Sequence, residues 1–211
     1  MELKEIYEKM HSGELYDPGE VKLLVKQLFC LGGMYRFNRS RPVLGFAHRM
    51  ILMKTMLAEC GEGTYINPPF YANWGGKHVH VGRGVYINSG FTAVDDTHIY
   101  IGDYTELGPN VVVATAGHPI WPEYRGEGPL QYNLPVRIGR NCWIGAGAIL
   151  LPGVTIGDDS VIGAGSVVTK DVPSGVVAVG NPCRVMREIN ESDRERKSRQ
   201  ASNSCLTANK D

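Results

Sequence analysis

Neither sign of charge is in excess in this chain: 22 Lys and Arg are matched by 22 Asp and Glu over 211 residues. No global field draws in nucleic acid or an anionic membrane, so any anion site has to be local. No window offers the roughly eighteen uninterrupted apolar residues that span a bilayer. The opening residues, MELKEIYEKM, are charged and amphipathic where a signal peptide has an apolar centre, and a soluble chain is expected. Cysteine is scarce: Cys30, Cys60, Cys142, Cys183 and Cys205 are odd in number, scattered, and form no C-x-x-C pair. That pattern argues against a disulfide framework or a zinc cluster and for free thiols in a reducing, cytoplasmic compartment. With 43% apolar residues the chain can still bury a core without covalent help.

What is present divides the chain into three. Residues 1–58 read as a helical segment. Leu3, Ile6, Tyr7 and Met10 share a face at helical spacing, PGEVKLLVKQLFC repeats the pattern up to a stop at Gly32–Gly33, and a third helix is expected through residues 42–61. Such a segment suits a cap on the end of the domain C-terminal to it. Residues 188–211 are strongly polar, and a short helix around 186–198 followed by a disordered tail is expected there.

Between them, residues 59–187 repeat. Ile138, Ile144, Leu150, Ile156, Ile162 and Val168 recur every six positions, mostly followed by glycine, and four residues after each stands a mostly small one: Cys142, Ala148, Val154, Ser160, Ser166 and Val172. Ile101, Leu107 and Val113 keep the same spacing, as do Val81, Ile87 and Ala93, with a two-residue slip between those blocks. Neither a strand, with period two, nor a helix, with period 3.6, sustains a period of six. A coil of short strands does, with one aliphatic residue per face pointing inward and a small one at each corner, three hexads to a turn. The expected fold is therefore mainly β, a parallel β-helix. Its ends expose unpaired edges, which the helical segment can cover.

Beyond that slip, the rhythm is lost outright at VVVATAGHPIWPEYRG. After Gly117 and His118 the chain is rich in proline and aromatic residues and keeps no six-residue register as far as residue 136, so an extruded loop after His118 is expected.

The stretch IGRNCWIGAGAILLPGVTIGDDSVIGAGSVVTKDVPSGVVAVGNPCRV resembles the hexapeptide-repeat acyltransferases. With YEKMHSGELYDP, MYRFNRSRP, NPPFYANWG, TAVDDTHIYIGD and TAGHP the resemblance narrows to the sugar O-acetyltransferases of the galactoside and maltose type, over residues 4–192. It implies a left-handed β-helix and a homotrimer with each active site between neighbouring subunits. It also implies acetyl-CoA as co-substrate, a sugar hydroxyl as acceptor, and no metal.

Carried over residue by residue, the resemblance makes His118 the general base, a role that a neutral imidazole near pH 7 can fill. A turn histidine bonded to the backbone is the plain structural alternative. Asp17, Asn73 and Asp96 would hold the acceptor. Asp17 precedes a proline and also suits a turn, while Asn73 stands where the galactoside branch has serine, which leaves the sugar open. Asn88, Ala146 and Ala164 would line the acetyl-CoA groove, Ala146 in place of a frequent serine. Thr169, Lys170, Arg184 and Arg187 would meet its phosphates, to which lysine offers a point charge and arginine a fork; a solvated surface is the alternative. His78 and His80 form an H-x-H, expected as exposed histidines. Two other functions are open: a metal-dependent β-helix lyase of the carbonic anhydrase type using His78, His80 or His98, and a non-catalytic trimeric scaffold.

Overall fold

The computed structural model describes residues 2–41, 43–126 and 128–195. Three helices come first, α1 (Leu3–Ser12), α2 (Val21–Asn38) and α3 (Phe46–Met56). From Glu59 the chain winds as a parallel β-helix with three faces. The first stacks Glu59–Cys60, Val79–Val81, Ile99–Ile101, Val136–Ile138 and Thr155–Ile156. The second stacks Tyr65–Ile66, Tyr86–Ile87, Glu106–Leu107, Trp143–Ile144, Val161–Ile162 and Val176–Val179. The third stacks Phe70–Ala72, Phe91–Val94, Val112–Ala114, Ile149–Leu150 and Val167–Val168.

The registers follow the hexads. Val81, Ile101, Ile138 and Ile156 align on the first face, Ile87, Leu107, Ile144 and Ile162 on the second, and Ala93, Val113, Leu150 and Val168 on the third. None of the twelve is more than 3% exposed. Burying each aliphatic side chain contributes about 1.5–3 kcal/mol. The corner residues are buried as well. Ser160 donates to the Pro173 carbonyl at 2.8 Å and Ser166 accepts from Gly180 N–H at 3.0 Å, so neither hydroxyl is stranded in the column. Glycine follows the inward residue because successive coils touch there: a Cβ on Gly145 would lie 2.5 Å from the Ala164 nitrogen.

The helices cap one end. Phe37, Leu52, Met53, Met56 and Leu57 extend the aliphatic column. Asn38 does for the first strand of the third face what a neighbouring strand would do. Its Nδ2 donates to Phe70 O at 2.7 Å and its Oδ1 accepts from Phe70 N–H at 2.8 Å, so that edge is paired rather than open.

Several expectations are corrected. α2 does not stop at Gly32–Gly33 but runs to Asn38. Gly33 faces α3, where a Cβ would come 3.2 Å from that of Met56, and this close helix packing outweighs the propensity cost of about 1 kcal/mol for a helical glycine. α3 is shorter than its pattern: it ends at Met56, and Glu59–Cys60 already belongs to the first face. Instead of a helix around 186–198, Arg184–Glu188 is a strand antiparallel to Val176–Val179, followed by a short 3₁₀ turn at Glu191–Glu195. An edge strand needs backbone partners more than apolar side chains, so polarity did not prevent it. The tail expected beyond it, with Cys205, lies outside the described residues.

His78 and His80 are not exposed histidines. His78 is 3% exposed. Its Nδ1–H donates to Asp95 O at 2.6 Å, and its Nε2 accepts from the Tyr7 hydroxyl of α1. His11 of α1 hydrogen-bonds Thr97 at 2.8 Å, and His80 bonds His98 at 2.9 Å while facing Glu59. Four of the chain's six histidines thus line the seam between α1 and the β-helix. Lys26 over the Tyr7 ring and Arg137 over the Tyr100 ring bound the seam with positive charge.

This seam generates a pH prediction. Burial lowers His11 from 6.5 to about 4 and His78 from 6.5 to about 3, and also lowers His98. Above pH 6.5 folded and unfolded chains both hold these rings neutral. Below it the unfolded chain takes up protons that the folded chain refuses, so stability falls as pH falls through that window. Asp95, raised by burial from 3.8 to about 6, runs the other way with a single proton and offsets only part of the loss. Calorimetry should show Tm dropping between about pH 6.5 and about pH 4, with a shallower drop in His11→Gln. A Tm constant across that range would contradict this account.

Candidate active site

Beyond the first coil, where Ala72 and Val81 already stand nine positions apart, two insertions break the hexad count, and both lie where the third face turns into the first. Ala93 and Ile101 are eight positions apart, and Val113 and Ile138 are twenty-five apart, where six would suffice.

The smaller insertion contains Asp95, Asp96 and Thr97, which are 0%, 7% and 1% exposed. Asp95 accepts from the N–H groups of Trp74 at 2.7 Å and Gly76 at 3.1 Å and thereby holds the bend NWGGKH. Burial raises its pKa to about 6 while the Trp74 and His78 N–H groups pull it down. Asp96 accepts from Asn73 Nδ2 at 2.8 Å and from Gln131 Nε2 at 3.3 Å. The sequence reading missed Asp95, since two adjacent aspartates give no sign of which turns inward.

The larger insertion is the expected loop. It leaves through Ala116–Gly117, makes a 3₁₀ turn at Pro122–Arg125, and returns through Tyr132–Asn133, antiparallel to its start. Gly117 leaves room there for the Tyr132 ring, which a Cβ would approach to 2.7 Å. His118 is exposed, and its Nδ1 lies 2.8 Å from the Leu130 carbonyl. A carbonyl only accepts, so a proton is on Nδ1, and in the neutral ring the lone pair is on Nε2.

The N-terminal segment meets this loop. Tyr16 and Gln131 exchange two backbone hydrogen bonds of 2.9 and 3.0 Å. They set Asp17 next to Leu130, and both border a cavity of about 190 Å³. Asp17 Oδ1 accepts from Gly19 N–H at 2.7 Å, so the turn role foreseen for it is real. Beneath the loop lies a buried polar network that the sequence reading missed. Gln131 Nε2 donates to Tyr16 OH and Asn133 Oδ1, both at 2.8 Å, and Asn133 Nδ2 donates to Met10 O at 2.8 Å and Tyr16 OH at 3.0 Å. The alternation in LQYNLP, with Gln131 and Asn133 on one side of the return strand, was its only signal. Asp17, Asn73, Asp96 and His118 are therefore joined through Tyr16, Leu130 and Gln131.

Asn88, Ala146 and Ala164 stand elsewhere. They follow the aligned residues Ile87, Ile144 and Ile162, so they line the edge between the second and third faces, whereas His118 and Asp96 are at the edge between the third and first. Asn88 Oδ1 accepts from Ser89 N–H at 2.8 Å. Ala146 and Ala164 are exposed, and no acceptor for their N–H groups lies among the described residues. Thr169 and Lys170 are exposed at the edge bearing the loop, two coils further on. Cys183 N–H donates to Val167 O at 2.8 Å, which sets Arg184 beside the strand leading to them. Arg187 is instead forked onto Asp193 by two bonds of 2.7 Å.

The metal-dependent reading fares poorly on geometry. Both His78 nitrogens are engaged, and among the described residues no group of three or more His, Cys, Asp or Glu is placed to hold a metal ion.

Comparison with known proteins matches residues 135–170 to the family described as bacterial transferase hexapeptide (six repeats), and residues 9–61 to the maltose acetyltransferase hexapeptide capping motif. Galactoside O-acetyltransferase of Lactococcus lactis is 51% identical over 189 residues, 90% of each chain. A galactoside acetyltransferase solved in complex with coenzyme A superposes with a TM-score of 0.85 at 44% identity, covering 90% of this chain and 93% of that one. A maltose O-acetyltransferase from Clostridium difficile gives 0.84 at 39% identity, with coverages of 88% and 98%. Likeness that takes in the capping helices, the coils and the loop alike means that the chain belongs to the hexapeptide-repeat sugar O-acetyltransferase family.

Proposed function

We propose that this protein transfers the acetyl group of acetyl-CoA to a hydroxyl of a sugar of the galactoside, glucoside or maltose type, with His118 as general base. The observation that carries this reading is the orientation of one ring. The Leu130 carbonyl fixes the proton on Nδ1 and leaves Nε2 open to solvent at the largest interruption of the repeat. Asp17, Asn73 and Asp96 hold neighbouring hydroxyls of the acceptor.

In this reaction Nε2 takes the proton from the acceptor hydroxyl as its oxygen attacks the thioester carbonyl carbon. Negative charge moves onto the carbonyl oxygen, where a backbone N–H can meet it. The C–S bond then breaks, and the CoA thiolate recovers the proton from the imidazolium, leaving an acetyl ester and free CoA thiol. No acyl-enzyme is needed. Burial raises the thiols of Cys30, Cys60, Cys142 and Cys183, which makes them poor nucleophiles.

The pantetheine arm lies along the edge of Asn88, Ala146 and Ala164, where unpaired N–H groups and small side chains leave room for it. Thr169, Lys170, Arg184 and Arg187 take the phosphates, Arg187 by exchanging Asp193. One chain holds the base at one edge and the alanines at another, across the width of the third face. A homotrimer with sites between neighbours brings the base edge of one copy to the alanine edge of the next. The scattered free thiols suit the cytoplasm.

Thiol release from acetyl-CoA, measured across a panel of galactosides, glucosides, maltose and amines, tests class and acceptor together. His118→Ala should lower turnover roughly 10²- to 10⁴-fold with acetyl-CoA still bound; full activity in that variant would remove His118 as the base, and a wild-type chain that releases no thiol with any acceptor would leave only a scaffold. Ala164→Leu places a larger side chain at an exposed position, so the fold should hold while KM for acetyl-CoA rises about tenfold, one lost good contact's worth. An unchanged KM there would move the arm to another edge.

A further inference from the structure

We infer that Gln131 is a positioning residue for the transfer, the joint through which the acceptor-holding carboxylate and the base are kept in one geometry. The inference rests on His118 being the base. Gln131 is 7% exposed, and its backbone is clamped on both sides by Tyr16 through the bonds of 2.9 and 3.0 Å. The peptide that begins at Leu130 is therefore fixed at Gln131, and the carbonyl of that peptide is what holds His118 Nδ1 at 2.8 Å. Any displacement of Gln131 turns the imidazole.

The side chain ties the same residue to the carboxylate. The carboxamide Nε2 has two N–H groups for three oxygens, Tyr16 OH and Asn133 Oδ1 at 2.8 Å and Asp96 Oδ1 at 3.3 Å. Asp96 is the shared, longer partner, and its other oxygen is held by Asn73 Nδ2 at 2.8 Å. With one Asp96 oxygen tied to each amide, the carboxylate cannot rotate freely. Tyr16 OH accepts from Gln131 and Asn133 together, and Asn133 reaches back to Met10 O, so the joint is braced against α1. Moving Gln131 would strand these buried oxygens, and that cost makes the joint stiff. Reacting geometry held this way is sensitive: a misplacement near 1 Å can cost on the order of 10² in rate.

The test uses the full-length enzyme, acetyl-CoA, and whichever acceptor of the panel releases thiol fastest. Gln131→Met keeps length and removes the side-chain hydrogen bonds; Gln131→Asn keeps an amide one methylene too short to reach Asp96, and serves if the first variant does not fold. Either should lower kcat for the acceptor roughly 10- to 100-fold while KM for acetyl-CoA stays within about twofold. The second readout is coupling. Added to Asp96→Asn or to His118→Ala, the Gln131 change should cost less than about twofold more, because the partner it aims is already gone. The inference is overturned if kcat is unchanged in a folded variant, if the losses multiply independently, or if KM for acetyl-CoA rises as much as kcat falls. Full activity of His118→Ala alone would instead remove the reading of the base and leave the coupling to Asp96 as a separate result.

Discussion

The column of aliphatic side chains along the axis of the β-helix sets the terms for everything else in this chain. Each coil contributes one inward residue per face, and the coils lie so close that a Cβ on Gly102 would come 2.5 Å from the Arg140 nitrogen. A column packed this tightly tolerates no extra residue within a strand, because a shift of one would turn the apolar side chains outward. Extra residues can enter only at corners. Both insertions beyond the first coil obey this rule, and both enter at the same edge, where the third face turns into the first.

The ends of the column impose the second constraint. At the helical end, Asn38 pairs with Phe70 by side chain; at the other, Arg184–Glu188 pairs with Val176–Val179 by backbone. Neither device needs the apolar surface that a sequence pattern would reveal. The helical segment does more than cover an edge, for the chain that leaves α1 adds Tyr16 as a third member beside the loop's two strands, and a capping element becomes a wall of the candidate site.

This division accounts for what was legible in the sequence. The six-residue period placed the twelve inward residues from Val81 to Val168, the small corner residues and the break at His118, because each is dictated by local spacing; Ile66, Ala72 and Ala178, which join the same columns, were not placed by it. The continuation of α2 through Gly32–Gly33 depends on Met56 of another helix, and the burial of His78 depends on Tyr7, some seventy positions away. Gln131 is of the same kind, since its partners Tyr16, Asp96 and Asn133 come from three segments. Handedness too has no local signature in the hexad and entered only through the family resemblance.

His78 and His118 start from the same first step and end in opposite surroundings. In both, a backbone carbonyl takes the Nδ1 proton, Asp95 at 2.6 Å for one and Leu130 at 2.8 Å for the other, so both rings present a bare Nε2. For His78 that nitrogen is met at once by the Tyr7 hydroxyl, and burial lowers its pKa to about 3, so it stays neutral and serves as a tie between α1 and the coil. For His118 the ring stands exposed on a loop outside the column, and among the described residues no helix closes over it. A lone pair can accept a proton from a substrate only if the protein has left it unspent, and the corner insertion at residue 114 and beyond is what lifts the ring clear of the seam that would have satisfied it.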